Sequence, residues 1–224
     1  MRMVIRIGGS VVASPINPEL IGKYADILKT LRNQGNEIAV VVGGGTLARE
    51  FIKIAKTLNL EMQAQDEIAI SVSRLFAQVF LKKLGDFACE KVATNLDEAA
   101  QCFNMKRVLF MGGLRPGITT DTVAALVAER INADLLLKGT DQDGIYNKDP
   151  RGNNDAIKLD RISFDNLQSV LAETEHKAGI HQIIDPEAVK VLKRNRVKLI
   201  VVNGFKPENM LAAVGGQKIG TLVE

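Results

Sequence analysis

Ile38-Ala39-Val40-Val41-Val42-Gly43-Gly44-Gly45 is an apolar run, mostly β-branched, that ends directly on three glycines. A segment this short and this stiff at χ1 reads as a buried strand rather than a helix. Outward from it the same pattern recurs. Met3 to Ile7 ends on Gly8-Gly9-Ser10, and Val108 to Met111 ends on Gly112-Gly113. Leu135 to Leu137 and Lys198 to Val202 continue the strand series.

Helical patterns fill the intervals. Leu20, Ile21, Tyr24, Ile27, Leu28 and Leu31 share one face, and Gly35 follows as a stop signal. Leu47, Phe51, Ile54, Ala55 and Leu58 mark another amphipathic helix. A third is predicted from about Glu67 to Leu84, with Ile68, Val72, Leu75, Phe76 and Val79 on its apolar face. Val123 to Ile131 and Glu187 to Arg194 read as helices too, whereas Asp141 to Asn154, rich in Gly and Asx, is loop or hairpin. Strand–helix alternation predicts an α/β protein, a three-layer α/β/α sandwich around a mainly parallel sheet, as one domain over residues 1–224.

In a parallel sheet the strand carboxyl ends lie on one edge, where ligands bind. Glycines there let backbone approach an anion, and N–H groups at the following helix start donate to phosphate oxygens. A single Gly pair is explained by a tight turn. Clusters after three strands fit substrates carrying several phosphates. The chain has no Gly-x-x-x-x-Gly-Lys-Ser/Thr loop, and Gly43-Gly44-Gly45 lacks dinucleotide spacing, so another kind of phosphate-binding fold is required.

Arg6-Ile7-Gly8-Gly9-Ser10, Val42-Gly43-Gly44-Gly45 with Arg49 behind it, and Thr140-Asp141-Gln142-Asp143-Gly144-Ile145-Tyr146 ahead of Asp149-Pro150 resemble the amino-acid kinase family, in family order and over essentially the whole chain. Val41 and Val42, rather than a His, before the glycines argue against acetylglutamate kinase and isopentenyl phosphate kinase. Gly112-Gly113-Leu114-Arg115-Pro116-Gly117-Ile118-Thr119-Thr120-Asp121 looks like the archaeal branch of UMP kinases. The resemblance implies phosphoryl transfer from ATP to UMP, giving UDP and ADP, a step towards UTP and CTP. It leaves open a family member with a different acceptor (carboxylate, carbamate or isoprenoid phosphate) and a non-catalytic nucleotide- or oxyanion-binding protein on the same fold.

By the same resemblance, residues of about 1–132 mainly hold UMP and those of about 133–224 mainly hold ATP. Gly44, Asp66, Leu114, Arg115, Pro116, Gly117, Ile118, Thr119 and Thr120 would contact UMP, Asp66 through the ribose hydroxyls. Gly9, Ser10, Gly45, Arg49, Thr140, Asp141, Tyr146 and Asp149 would contact ATP, with Tyr146 on the adenine side. Mg²⁺ accompanies the ATP, without a dedicated protein metal site, and a homohexamer is the expected assembly. Arg6 and Asp121 are the candidate catalytic residues. Phosphoryl transfer needs alignment and charge neutralisation rather than covalent work. N–H groups of Gly8, Gly9, Gly44 and Gly45, with the Arg6 and Arg49 cations, could flank the transferred group.

Several of these residues have simpler readings. Many family members carry Lys where this chain has Arg6, and a planar fork does not replace a point charge neutrally. Arg6 therefore either touches the transferred phosphate or forms a strand-end ion pair. Asp121 either orients cations or answers the helix dipole in a first turn. Asp66 could be an N-cap, Asp141 and Asp143 turn formers or oxygen ligands of Mg²⁺. Lys190 resembles a late family lysine near ATP, but a solvated helix position explains it as well.

Composition sets bounds on partners. The chain is 46% hydrophobic and 25% charged with a net charge of +3, which is not the basic excess of a nucleic-acid binder. The cluster Lys190, Lys193, Arg194, Arg196 and Lys198 is explained by a solvated helix end. No apolar stretch reaches about eighteen residues, so no membrane partner is expected. The chain enters a strand directly, without a signal-peptide core, and the cytoplasm is the expected compartment. Cys89 and Cys102 lack metal or disulfide-framework spacing and are expected as reduced thiols. His176 and His181 have no nearby Cys to complete a zinc motif.

Overall fold

The computed structural model describes residues 1–175 and 183–224. In chain order the elements are β1 (Arg2–Ile7), α1 (Gly9–Val12), α2 (Pro18–Asn33), β2 (Glu37–Val42), α3 (Gly45–Thr57), α4 (Met62–Leu84), α5 (Leu96–Asn104), β3 (Leu109–Met111) and α6 (Thr120–Arg130). Then follow β4 (Leu135–Thr140), β5 (Ile145–Tyr146), β6 (Lys158–Leu159), β7 (Arg161–Ile162), α7 (Phe164–Glu175), α8 (Pro186–Asn195), β8 (Lys198–Asn203), α9 (Glu208–Val214) and β9 (Thr221–Val223). The main sheet has the order β3-β2-β1-β4-β8-β9-β7, parallel except between β8 and β9, and β5 pairs with β6 as a separate ribbon.

Alternation along the strands divides the core into two layers. Met3, Ile5 and Ile7 pack with α2 and α4 on one face, while Val4, Ala39, Val41 and Leu136 pack with α6 and α8 on the other. The first layer is anchored by Tyr24, Phe80 and Phe110, all fully buried, with Phe80 edge-on to Tyr24 at 6.3 Å and stacked on Phe110 at 6.2 Å. Each such side chain stabilises by roughly 1.5–3 kcal/mol through burial. Side chains of the same parity as Val4 and Leu136, namely Arg6 and Lys138, emerge at the carboxyl ends on the α6 side.

Helix starts follow local chemistry. Asn17 caps α2 by accepting the Leu20 N–H at 3.0 Å, with Pro18 at the first helical position. Asp185 followed by Pro186 opens α8 in the same way. The close crossing of the first two glycine loops is why glycine is required there: a Cβ on Gly9 would overlap the Gly45 backbone.

Four expectations need correction. Helix α4 begins at Met62, so Asp66 lies in its second turn and is not an N-cap. The apolar stripe of α3 is only partly covered by the core: Ala55 is buried and Leu47 packs against the core, whereas Phe51, Ile54 and Leu58 are 42–64% exposed. Leu75 and Val79 of α4 are exposed likewise, and Phe76, Ala77, Phe80 and Leu81 form its buried face. Periodicity detects an apolar stripe but not which surface covers it. Finally, Cys89 and Cys102 form a disulfide, their Cα atoms 6.1 Å apart. Cys102 lies on α5, which folds back beside the segment leading into β3, a proximity that spacing alone does not reveal.

Helices α1, α5, α7 and α9 and strands β6, β7 and β9 have no counterpart in the sequence reading, being too short or too weakly periodic, while β5 lies in the 141–154 segment expected as loop or hairpin and pairs with β6. His176 and His181 lie outside the described residues. The basic stretch of α8 and β8 is solvated and largely paired: Lys190 with Glu187, Lys193 with Asp165, Arg194 with Glu129 and Lys198 with Glu224. Among the described residues, no helix is long and apolar enough to cross a membrane.

Candidate active site

β1, β2, β3 and β4 all deliver their carboxyl ends to one edge of the sheet. There a polar cavity of about 420 Å³ is lined by Arg6, Gly9, Ser10, Gly43, Gly44, Gly45, Arg49, Thr120, Asp121, Lys138, Thr140, Asp141, Arg151 and Ile183. Beside it a second cavity, about 160 Å³, is lined by Gly44, Ala48, Asp66, Ala69, Ile70, Ser73, Gly113, Arg115, Ile118 and Thr120. Gly44 and Thr120 belong to both walls.

The cationic centre of the larger cavity is built by strand register. Arg6 and Lys138 are opposite each other on β1 and β4. Asp121, in the first turn of α6, lies between them: the Arg6 Nε is 2.8 Å from its Oδ1, and the Lys138 ammonium donates to its Oδ2. Arg6 also donates from Nη2 to the Thr120 hydroxyl at 3.0 Å. All of this is water-poor, with Lys138 only 4% exposed.

Electrostatics follow from that burial. Burial alone would push the Asp121 carboxyl up, but the Arg6 and Lys138 charges, with the Lys138 hydrogen bond, hold it below its usual value. Burial pushes the Lys138 ammonium down to about 8, with Asp121 partly offsetting the effect and Arg6 adding to it. A buried carboxylate serving two cations leaves one net positive charge directed at the cavity. An anion is the complementary ligand.

Backbone donors surround this centre. Gly9, Ser10 and Gly45 stand in the first turns of α1 and α3, where helix geometry leaves N–H groups without intrahelical acceptors. The Gly8 N–H is not available as expected, because it donates to the Gly139 carbonyl at 3.0 Å. Arg49 reaches the rim through a 2.9 Å bond to the Thr46 hydroxyl. Asp141 accepts from Thr140 at 3.1 Å and pairs with Arg151 at 2.7 Å.

The smaller cavity is shaped by the 112–120 loop, which α4 clamps. Gly113 donates its N–H to Ser73 Oγ at 2.7 Å, and Arg74 donates to the carbonyls of Gly113 and Leu114 at 3.0 and 3.1 Å. Any side chain at Gly112 would run into the Ser73–Arg74 backbone. Asp66 Oδ2 accepts the Gly117 N–H at 2.8 Å, which ties the loop tip to α4. Thr119 caps α6 by accepting the Asp121 and Thr122 N–H groups at 3.1 and 3.2 Å.

Of the residues singled out in the sequence, the larger cavity gathers Arg6, Gly9, Ser10, Gly45, Arg49, Asp121, Thr140 and Asp141. The smaller gathers Asp66, Arg115 and Ile118, with Gly44 and Thr120 shared. Leu114, Pro116, Gly117 and Thr119 belong to the loop but do not line its cavity. Tyr146 lies on β5 opposite Lys158, and Asp149 accepts the Arg151 N–H at 2.9 Å; neither lines either of these two cavities. Lys138, Arg151, Ser73 and Arg74 escaped the sequence reading. Lys138 did leave a signal: a charged residue inside Leu135-Leu136-Leu137-Lys138-Gly139-Thr140, a central strand, is costly unless paired.

The chain is similar to known proteins along its whole length. Residues 1–203 match the family model described as the amino acid kinase family. A uridylate kinase of Methanocaldococcus jannaschii is 41% identical over 226 residues, covering 100% of both chains. The crystal structure of uridylate kinase from Archaeoglobus fulgidus superposes with a TM-score of 0.91 at 37% identity, covering 100% of each chain. The UMP kinase of Bacillus anthracis shares the fold at a TM-score of 0.83 and 18% identity, over 100% of this chain and 95% of that one.

Proposed function

The chain belongs to the amino acid kinase family, and from that premise we propose that it transfers the γ-phosphoryl group of ATP to UMP. One observation carries this reading. Two cavities adjoin across Gly44 and Thr120, and the Arg6 guanidinium is bonded to that shared wall. A donor phosphate chain in the larger cavity and an acceptor phosphate in the smaller would meet beside Arg6 and Lys138. The UMP phosphate is already an anionic nucleophile, so no general base is required. The residues align two phosphates and neutralise the charge spread over the transferred group. Asp121 holds the two cations at that point and keeps them apart.

UMP falls mainly to residues of about 1–132 and ATP mainly to those of about 133–224, with Gly9, Ser10, Gly45 and Arg49 reaching the donor cavity from the first portion. Asp66 already uses Oδ2 on the loop tip, and its Oδ1 is assigned to the ribose hydroxyls. Tyr146 is assigned to the adenine side and Asp149 to the loop that frames it. Mg²⁺ fits the donor chemistry of the larger cavity: Asp141 offers carboxylate oxygens, its Arg151 partner is exposed, and Mg²⁺ takes few protein ligands beside phosphate oxygens. When bound it would neutralise charge on the donor phosphates.

Self-association is part of the proposal. Phe51, Ile54 and Leu58 on α3 and Leu75 and Val79 on the neighbouring α4 expose large apolar side chains, the kind of surface that marks protein contacts. We assign this face to a contact within a homohexamer in the cytoplasm. An ATP-consumption screen against UMP, CMP, dUMP, acetylglutamate, carbamate and isopentenyl phosphate tests the acceptor. UMP should turn over fastest by orders of magnitude; comparable rates with UMP and acetylglutamate would reject the assignment.

A further inference from the structure

The acceptor loop and the donor half of the cleft are joined by a carboxylate that the transfer reaction itself does not use. Asp185 is the N-cap of α8, where its Oδ1 accepts the Ala188 N–H at 2.8 Å. The same oxygen accepts the Thr122 hydroxyl at 2.8 Å, and Oδ2 accepts the Thr119 hydroxyl. Thr119 in turn caps α6. Two helix N-termini thus close on one side chain.

The direction of these bonds is forced. Thr119 Oγ1 already accepts two backbone N–H groups, so its remaining function is to donate, and it donates to Asp185. The first turn of α6 fixed in this way carries Thr120, in the wall shared by both cavities, and Asp121, which holds Arg6 and Lys138. The backbone N–H of Asp185 also helps to hold the Asp121 carboxyl below its usual value. Two residues earlier, Ile183 lines the donor cavity. We infer that Asp185 is a positioning residue: it holds the first turn of α6 at a set distance from the α8 start, and so sets the spacing of acceptor and donor phosphates. The inference rests on the phosphotransfer reading for its kinetic consequence, but not for the helix clasp itself.

Asp185→Asn is the sharp test, because asparagine caps α8 as well as aspartate does but presents an N–H₂ donor where the Thr119 hydroxyl must donate. Asp185→Ser is the second variant, since it also caps α8 but is too short to hold both threonines. Both should lower kcat by roughly 10- to 100-fold while each substrate's KM stays within about 3-fold, because misalignment rather than lost binding limits the reaction. Thr119→Ser keeps the hydroxyl and should retain most of the rate. In hydrogen exchange, both Asp185 variants should lose protection at the Asp121 and Thr122 amides and keep it at Ala188. A lowered melting temperature with kcat and α6 exchange unchanged would overturn the inference, reducing Asp185 to a helix cap. A wild-type protein that does not phosphorylate UMP would overturn the acceptor assignment, and the exchange measurement would still decide the clasp.

Discussion

Arg6 on β1 and Lys138 on β4 stand opposite each other on adjacent parallel strands, and both direct their charge to the Asp121 carboxylate. Like charges directly across a sheet repel, and here they do so largely out of water. Asp121 makes the arrangement tolerable. The net positive charge that remains is what a transferring phosphoryl group needs.

Asp121→Asn should therefore be costly in two ways. It leaves two buried cations facing each other without a counter-charge, a change expected to destabilise the fold by about 3–5 kcal/mol. Turnover should fall with it, since neither cation keeps its place. Urea denaturation and steady-state kinetics on the one variant check both; wild-type stability would disprove the role of Asp121 as counter-charge to Arg6 and Lys138.

The pH dependence has a definite sign. Lys138 is pushed down to about 8 in the folded chain from an ordinary 10.5. Below pH 8 both states hold the proton, and the cost of burying the ammonium is fully present. Between about 8 and 10.5 the unfolded chain binds more protons than the folded one, so the contribution of this group to stability rises with pH. Asp121, held below its usual value, contributes stability at neutral pH that is lost as the pH falls into the acid range. Activity should move the other way on the alkaline side, with kcat/KM falling near pH 8 as the Lys138 charge is lost. Lys138→Arg, always charged, should shift that limb upward; an unmoved limb assigns it to another group.

Arg6 is both a site residue and an ion-pair partner, so its substitutions separate two contributions. Arg6→Ala should lower kcat and kcat/KM together by about 100-fold, with some loss of stability because Asp121 loses a partner. Arg6→Lys should restore a cationic partner for Asp121 but not the fork that also reaches Thr120. It is expected to regain stability fully and rate only in part. Full activity in Arg6→Ala would remove Arg6 from the chemistry.

Asp66→Asn keeps an oxygen for the Gly117 N–H and removes the charge. UMP should bind more weakly by roughly 1–3 kcal/mol, as for a hydrogen bond to a charged acceptor, with ATP unaffected. Calorimetric titration of each nucleotide decides it. Equal affinities in variant and wild type would leave Asp66 as a loop tether alone.

The exposed stripe of α3 and α4 makes a prediction about mass rather than rate. Phe51→Glu and Leu75→Glu place charges on side chains 42% and 56% exposed, where the folded chain has room for them. Light scattering should show a smaller assembly for one or both. An unchanged mass would move the contact elsewhere.

Much of the architecture was legible because short-range chemistry dictates it. Short apolar runs ending on glycine marked β1, β2 and β3, and the spacing from Leu20 to Leu31 with Gly35 behind it marked α2. The glycine clusters marked the working edge of the sheet, because backbone that approaches an anion needs them. Where reading failed, burial was at issue. The stripes on α3 and α4 have helical periodicity whether a core or another molecule covers them. The Cys89–Cys102 pairing depends on how α5 packs.

Local stiffness, periodicity and glycine placement along the chain dictate the layers, the strand edge and most side chains that ring the two cavities. What those side chains do to one another follows from packing alone. That Arg6 and Lys138, 132 residues apart, share Asp121 depends on the register of two strands and on the first turn of a third element. That Asp185 closes two helices depends on α6 and α8 packing side by side with their N-termini together. Register and helix packing are settled by burial of the whole core, a sum over many residues that no single stretch of chain contains.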